Sequence, residues 1–477
     1  MGSSFGGINT ALTSLYAQRR GLDVTGQNIA NANTEGYTRQ RVVMQAQVGA
    51  IVPSMWSKTD GVGTGVAVTD VQRIRDEYLE TRGRAEHGAS AYLASQSASY
   101  TSLEDTFAEP SDTAIAAQLH DMWGGWSDVA NNPQLAAGRS AVIQQSSIVA
   151  DQLNGAHDGL ARQWSQSRNA MSVYVNEVNV TAGSIAQLND SIIQANASGV
   201  TVNELEDRRD VLAMRLSELT GATAGKRPNG GMDVFIGGST LVTGSTTRKV
   251  EYTGAARLED QAADPVALVW VDDKKTAVQA GGTVGAMTNT MTKIIPDLSN
   301  ELDRVATSLI TEVNLEHNKG FIKDANGTVV PGGDFFEGTS AGTIKVKVKS
   351  PDQVAVYGST GNWDSSVATK IADIGERADL QPPNDPNNLG ISPTHRYQSM
   401  IGELGVASQG SARRAEIQGV VAEQIDAARE GESGVNLDEE MTNLLTYQRG
   451  YEAASRVLTT IDSMLDQLIN RTGLVGR

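Results

Sequence analysis

Asn28–Val42 reads NIANANTEGYTRQRV. The stretch closes a patterned helix with Asn and Gly and turns at once into an alternating, strand-like run. Upstream, Ile8, Leu15, Leu22 and Ile29 lie seven residues apart, the period that keeps one helical face against a partner. Ala30 and Asn31 end that run, and Asn33, Thr34, Gly36 and Tyr37 follow. Asn and Gly tolerate the left-handed backbone of a helix end or turn, so Gly36 is expected at positive φ. The other end of the chain carries a matching pattern. Leu437, Leu444, Tyr451, Leu458 and Leu465 are also seven apart, beside a companion row of Glu440, Tyr447, Ala454, Ile461 and Leu468. Asn436 can cap that helix, and three acids follow in its first turn, where the helix dipole favours them. Narrow stripes at both termini suit a helix-on-helix seam better than a globular core. The alternative is two ordinary surface helices.

Composition limits the function classes. The chain has 477 residues, 39 % of them hydrophobic and only 5 % aromatic, with 49 glycines. This implies two to four domains with thin cores, and an elongated molecule. A net charge of −17 argues against nucleic acid and against anionic lipid surfaces. No run of 18 apolar residues is present, so no membrane span is expected. The start, MGSSFGGINTALTSLYAQRRG, lacks a basic n-region and an apolar h-region, so a cleaved secretory signal is not expected. Cysteine is absent, which fits export without disulfides and equally fits a cytosolic chain.

Along the chain, TRQRVVMQAQV and GVGTGVAVTDV read as a β-hairpin with a long connection. A long helical region runs from about Arg75 to Leu219, with Met171, Val178, Ile185 and Ile192 at heptad spacing. Gly199 interrupts it, and Leu205, Leu212 and Leu219 resume in a shifted phase. From Gly221 to about Gly282 the chain turns to Gly, Thr and Val, with MDVFIGGSTLV and ALVWV as short strands. Helix returns from Met287 to about Asn318. A second β and loop region runs from about Gly320 to Pro393. It includes the alternating IKVKVK (Ile344 to Lys349) and the proline-rich QPPNDPNN (Gln381 to Asn388). A last helical region reaches Arg429.

No catalytic, cofactor-binding or metal-binding residues emerge. The His at 87, 120, 157, 317 and 395 show no metal spacing. GVGTGV lacks the spacing of a dinucleotide loop and leads into a strand, and GKRPNGG has no phosphate-loop pattern. The many carboxylates read as solvated helix faces.

INTALTSLYAQRRGLDVTGQNIANANTEGYTRQRV resembles the N-terminal signature of the bacterial flagellar axial proteins of rod, hook and hook-associated type. Their ANxxTxGY-like turn is matched by Ala30, Asn31, Thr34, Gly36 and Tyr37. GVNLDEEMTNLLTYQRGYEAASRVLTTIDSMLDQLIN resembles the C-terminal signature. DMWGGWSDVANNPQLAAGRSAVI, NELEDRRDVLAMRLSELTGA, MDVFIGGSTLV, VNLEHNKGF and GGDFF are similar to segments of the hook–filament junction branch. The long helical middle separates the chain from the mainly β hook and rod proteins.

The resemblance implies a mainly α fold with β insertions in three parts. Residues 1–75 and 430–477 form an inner assembly domain, the terminal helices pairing like a coiled coil. Residues 76–220, 284–320 and 394–429 form a helical rod. Residues 221–283 and 321–393 are β-rich and include a small outer domain. The implied function is structural: a secreted flagellar subunit, not an enzyme, in a ring or short tube between hook and filament. Implied partners are further copies of the chain, the hook protein, the second hook–filament junction protein and the flagellar type III export apparatus. An export chaperone on the C-terminal helix, Asn436 to Leu468, is also implied. The assembly seam would comprise Ile8, Leu15, Leu22 and Ile29 with Leu437, Leu444, Tyr451, Leu458, Ile461, Leu465 and Leu468. The alternatives are a hook or distal-rod protein, which would be mainly β, and a cell-wall hydrolase carried on a flagellar scaffold.

Overall fold

The computed structural model describes residues 4–47, 63–274, 276–377, 391–467 and 469. Helix α1 spans Ser4–Ala30 and is followed by an antiparallel hairpin of β1, Gln40–Gln47, and β2, Gly65–Arg73. A register shift at Val43/Met44 bulges β1. Four helices follow: α2 Glu77–Phe107, α3 Ile115–Asn131, α4 Ala136–Ala197 and α5 Asn203–Thr220. Gly199 and Gly221, at φ +73° and +66°, provide the left-handed residues that end α4 and α5. Next come β3 Thr223–Lys226, β4 Met232–Ile236, β5 Ser239–Thr243 and β6 Thr246–Thr247, a four-stranded antiparallel sheet in that order. A second antiparallel pair joins β7, Val250–Thr253, to β8, Ala267–Trp270. Helix α6, Gly282–Asn289, passes through a π turn, Thr290–Ile294, into α7, Ile295–His317. The two-stranded pairs β9 Phe321–Lys323 with β10 Val329–Pro331, and β11 Phe336–Glu337 with β12 Lys345–Val346, follow. Helices α8 Ser366–Glu376, α9 Pro393–Ser433 and α10 Leu437–Asp466 close the described chain. The fold is mainly α with β insertions.

Two differences from the sequence reading stand out. The region read as β and loop contains α8, whose buried Val367, Ala368, Ile371, Ala372 and Ile374 fall at helical spacing. In IKVKVK, Ile344 and Val348 are buried, but only Lys345–Val346 pairs as strand, because its partner β11 is two residues long. The QPPNDPNN loop, Gln381 to Asn388, and much of the hairpin connection lie outside the described residues.

Two compact units arise from this order. Unit 1 gathers Met1–His87, Val180–Arg248 and Gly419–Arg477; unit 2 gathers Gly88–Asn179 and Lys249–Gln418. The core of unit 2 takes Leu119, Met122 and Trp126 from α3, Leu153, Leu160 and Trp164 from α4, and Leu302, Val305 and Leu309 from α7. Trp164 Nε1 donates to Met291 O in the π turn at 3.0 Å. Phe335 stacks edge-on to Trp126 with centroids 5.0 Å apart, and to His317 at 5.4 Å. His317 is fully buried; its Nδ1 donates to Gly333 O at 2.7 Å and its Nε2 accepts from Ala355 N at 2.9 Å.

One device recurs in both units. A helix asparagine docks a β segment by pairing its amide with both backbone groups of the strand's first residue. Asn28 does this to Gln40, Asn189 to Met232, Asn179 to Val250 and Asn314 to Phe336, with each bond 2.7–3.0 Å long. The amide thereby acts as one more rung of a ladder, satisfying the strand-end groups that burial would otherwise leave unpaired.

Candidate assembly surface

Helices α1 and α10 run antiparallel within unit 1. Cβ atoms built on Gly7, Gly21 and Gly450 would meet Ile461, Tyr447 and Gln18, and Asn28 bonds Glu440. Each step along α1 is matched by an equal step back along α10. The row Gly7, Ser14, Gly21, Asn28 therefore faces Ile461, Ala454, Tyr447, Glu440. On α10 this is the companion row of the sequence pattern. On α1 the contact row lies one position before Ile8, Leu15, Leu22 and Ile29, which are half-buried along its edge. Small residues let the backbones approach: a Cβ on Gly21 would sit 2.6 Å from the Tyr447 ring. A pattern drawn through large apolar residues therefore falls on the edge of the contact and misses its centre. Leu444, Leu458, Ile461 and Leu465 are half-buried, whereas Leu437 and Tyr451 are 50 % and 41 % exposed. Leu468 lies outside the described residues.

The turn after Ala30 is built by Asn31, whose carbonyl accepts from Thr34 N at 2.9 Å and whose Oδ1 accepts from Thr34 Oγ1 at 3.2 Å. Gly36 takes φ +76°, and a Cβ there would lie 2.3 Å from Val211 Cγ2. Conformation and space both require glycine. Tyr37 then swings its hydroxyl back to donate to Asn28 Oδ1 at 2.8 Å. Burial first, then the carboxylates of Asp207, Glu204 and Glu440, push the Tyr37 phenol up to about 12. Asn28 Nδ2 donates to Gln40 O and to Glu440 Oε2, at 2.9 and 3.0 Å, so one side chain ties α1, the hairpin and α10 together. Glu440 is almost fully buried and depends on Arg39, whose Nε and Nη2 both reach its Oε1 at 2.9 Å while Nη1 reaches Glu439 at 2.8 Å. Without that guanidinium the buried carboxylate would be strongly unfavourable. The sequence reading named the turn residues but passed over Asn28, Arg39 and Glu440 as a group. A lone glutamate in an otherwise apolar heptad row was the available signal.

A chain of ion pairs continues from the hairpin root. Thr38 N donates to Asp207 Oδ2 at 3.1 Å. Arg73 reaches Glu206, Asp207 and Asp210, and Arg75 bridges Asp210 to Glu80. Arg429 grips Glu80 with two bonds of 3.0 Å and holds Asp426, which also bonds His87 at 2.8 Å. Burial would raise the Glu80 carboxyl, but Arg429 and Arg75 hold it below its ordinary value. Burial lowers the Arg75 guanidinium against the pull of Glu80. Of these groups Arg75, Glu80, His87, Asp207, Asp210, Asp426 and Arg429 line a cleft of about 370 Å³. Its carboxylates face guanidinium groups and a histidine, an arrangement that fixes elements to each other. Among the described residues no cluster of three or more His, Asp or Glu is placed to hold a metal.

A larger groove of about 800 Å³ follows the helix pair and is lined by Ala11, Gln18, Ala454, Val457, Ile461 and Met464. Leu12, Tyr16, Leu437, Met441, Leu445, Val457 and Met464 are exposed along the two helices. On α10 they fall on two flanks, Leu437, Met441 and Leu445 on one and Val457 and Met464 on the other, and exposed apolar side chains of this kind suit contact with a partner surface. Among the described residues no helix is long and apolar enough to cross a membrane.

Comparison with known proteins agrees with this anatomy. The family model for the helical domain of the flagellar hook-associated protein FlgK matches residues 100–336. The flagellar basal-body rod protein model matches 8–38, and the C-terminal model of the rod FlgEFG proteins matches 431–471. The flagellar hook-associated protein 1 of Bacillus subtilis (strain 168) is 28 % identical over the full length of both chains. That of Escherichia coli (strain K12) is 24 % identical over 97 % of this chain and 99 % of its own. The solved flagellar hook junction protein FlgK from Burkholderia pseudomallei has the same fold, with a TM-score of 0.62 at 13 % identity over 73 % of this chain and 99 % of its own. Over its full length the chain is thus similar to relatives named flagellar hook-associated protein 1, and its helical middle matches the FlgK family model.

Proposed function

We propose that this chain is a structural subunit of the bacterial flagellum that joins hook to filament. The observation that carries the reading is similarity over the whole length to relatives named flagellar hook-associated protein 1, joined to a paired set of terminal helices whose outer flanks stay apolar and exposed. The terminal segments, 1–75 and 430–477, act as the inner assembly domain, and copies pack through them into a ring or short tube. The hook protein contacts one end and the second hook–filament junction protein the other. The chain leaves the cell through the type III export apparatus, with a chaperone covering Asn436 to Leu468 until export. Buried residues and paired charges account for its chemistry, and it performs no catalysis. Cells lacking the chain should make hooks without attached filaments and lose filament protein to the medium. Normal filaments on such cells, seen by electron microscopy, would overturn the proposal.

A further inference from the structure

The described methionines divide sharply. Met122, Met171, Met232, Met291 and Met400 are buried, and Met44, Met214 and Met287 are half-buried. Only Met441 and Met464 are exposed, at 51 % and 58 %, and both sit on α10. Met441 falls between Leu437 and Leu445 at four-residue spacing, on the exposed flank of the helix. Met464 lies seven residues after Val457 and lines the groove along α1. Thioethers in such positions are soft, apolar contacts that a partner surface can accommodate. They are also the ones a dissolved oxidant reaches.

We propose that Met441 and Met464 are oxidation sites for peroxides, and that their sulfoxides block incorporation of the subunit. The second half rests on the assembly reading above. In the reaction, a sulfur lone pair attacks one peroxide oxygen. The S–O bond forms as the O–O bond of hydrogen peroxide breaks, and the departing hydroxide takes the proton carried by the transferred oxygen and leaves as water. Methionine loses two electrons and the peroxide gains them. The product is a polar, chiral sulfoxide in place of a flexible apolar side chain. Burying it in a helix–helix contact without a donor is unfavourable. The five buried methionines, shielded by their cores, react slowly while the fold stands.

Full-length protein exposed to hydrogen peroxide and analysed by peptide mass spectrometry should gain one oxygen at Met441 and Met464 at least about tenfold faster than at the five buried methionines. Comparable rates at buried and exposed positions would overturn the site assignment. Oxidised protein is then added to isolated hooks, each sample against its own untreated control. The parent should lose at least about tenfold in binding and regain it after enzymatic reduction of the sulfoxides. The M441L/M464L variant should lose less than about twofold on the same treatment. Selective oxidation with undiminished parent binding would overturn the block. If untreated parent does not bind hooks at all, the assembly reading fails, while the mass spectrometry still decides the oxidation sites.

Discussion

At the residue scale, four asparagines do much of the organising. Asparagine is a poor interior helix residue, because its side chain competes for nearby backbone groups. Asn28, Asn179, Asn189 and Asn314 turn that competition outward and satisfy the first residue of a strand. Asn189, like Asn28, uses its amide for four bonds. Its Nδ2 donates to Met232 O and Gly244 O, and its Oδ1 accepts from Met232 N and from Arg209 Nη1. Arg209 is fully buried, and burial pulls its guanidinium down to about 10. Asn189→Leu would keep the volume but leave two carbonyls, one amide and part of that guanidinium without partners. Unsatisfied buried groups cost roughly 1–3 kcal/mol each, with partial relaxation, so a loss of about 2–4 kcal/mol is expected. Asp190→Ala, one position on and exposed, should stay within about 0.5 kcal/mol. Denaturant unfolding of both variants checks this, and equal midpoints would remove asparagine docking as an energetic device.

At the element scale, α1 and α10 pair through what α1 lacks. The same exchange, glycine to alanine, should act oppositely at two sites on α1. At Gly26 an added Cβ meets nothing within 4 Å, so Gly26→Ala should gain helix stability of up to about 1 kcal/mol. At Gly21 the new methyl would approach three Tyr447 ring atoms within 2.8 Å, so the whole ring must move. Gly21→Ala should open the pair despite its better helix propensity, and amide exchange across Leu437–Asp466 should speed up. Faster exchange in Gly26→Ala, or none in Gly21→Ala, would contradict the packing. Much of this element-level picture is legible in the sequence. The two terminal helices, the turn at Gly36, the break at Gly199 and the strands of MDVFIGGSTLV follow from periodicity and from residues that tolerate positive φ. The α10 contact row was also present as the companion row, because its residues are large enough to mark a period. The α1 row was hidden, because Gly7, Ser14 and Gly21 carry no apolar signal; their role is to be small, and only the partner helix reveals it. Helix α8 was hidden because eleven residues inside a β-rich stretch give too short a period to outweigh their surroundings. The ion-pair chain from Arg73 to Arg429 joins residues more than 300 positions apart, which no local pattern encodes.

At the scale of the whole molecule, the two units should respond differently to acid. In unit 1 the relevant group is Glu80, held below its ordinary value of 4.5 by Arg429 and Arg75 against burial. The unfolded chain takes up that proton first as pH falls, so the Glu80 contribution is complete above about pH 4.5 and is lost below it. In unit 2 the relevant group is His317, held below its ordinary value of 6.5 chiefly by burial, with the Gly333 carbonyl and Asp334 opposing. Its neutral tautomer is fixed at both nitrogens, and protonation would set an Nε2–H against the Ala355 N–H. Here the unfolded chain also binds the proton first, but from about pH 6.5 downward. Unit 2 should therefore start to weaken about two pH units before Glu80 costs unit 1 anything, by at most about 1.4 kcal/mol per pH unit. Trp123, Trp126, Trp164, Trp270 and Trp363, five of the six tryptophans, belong to unit 2 and Trp56 to unit 1, so denaturant unfolding of a Trp56→Phe background followed by tryptophan fluorescence at pH 7.5 and 5.5 reads unit 2. Its stability should fall between the two conditions, while amide exchange in α5 of unit 1, corrected for intrinsic rates, stays level. His317→Gln, neutral at both pH values, should abolish the fall in unit 2. If that variant does not fold, the corrected exchange of the Ala355 amide in the parent serves instead, and it should quicken at pH 5.5. A parent whose tryptophan-reported stability and Ala355 protection are the same at both pH values would show that the buried histidine does not set the acid response.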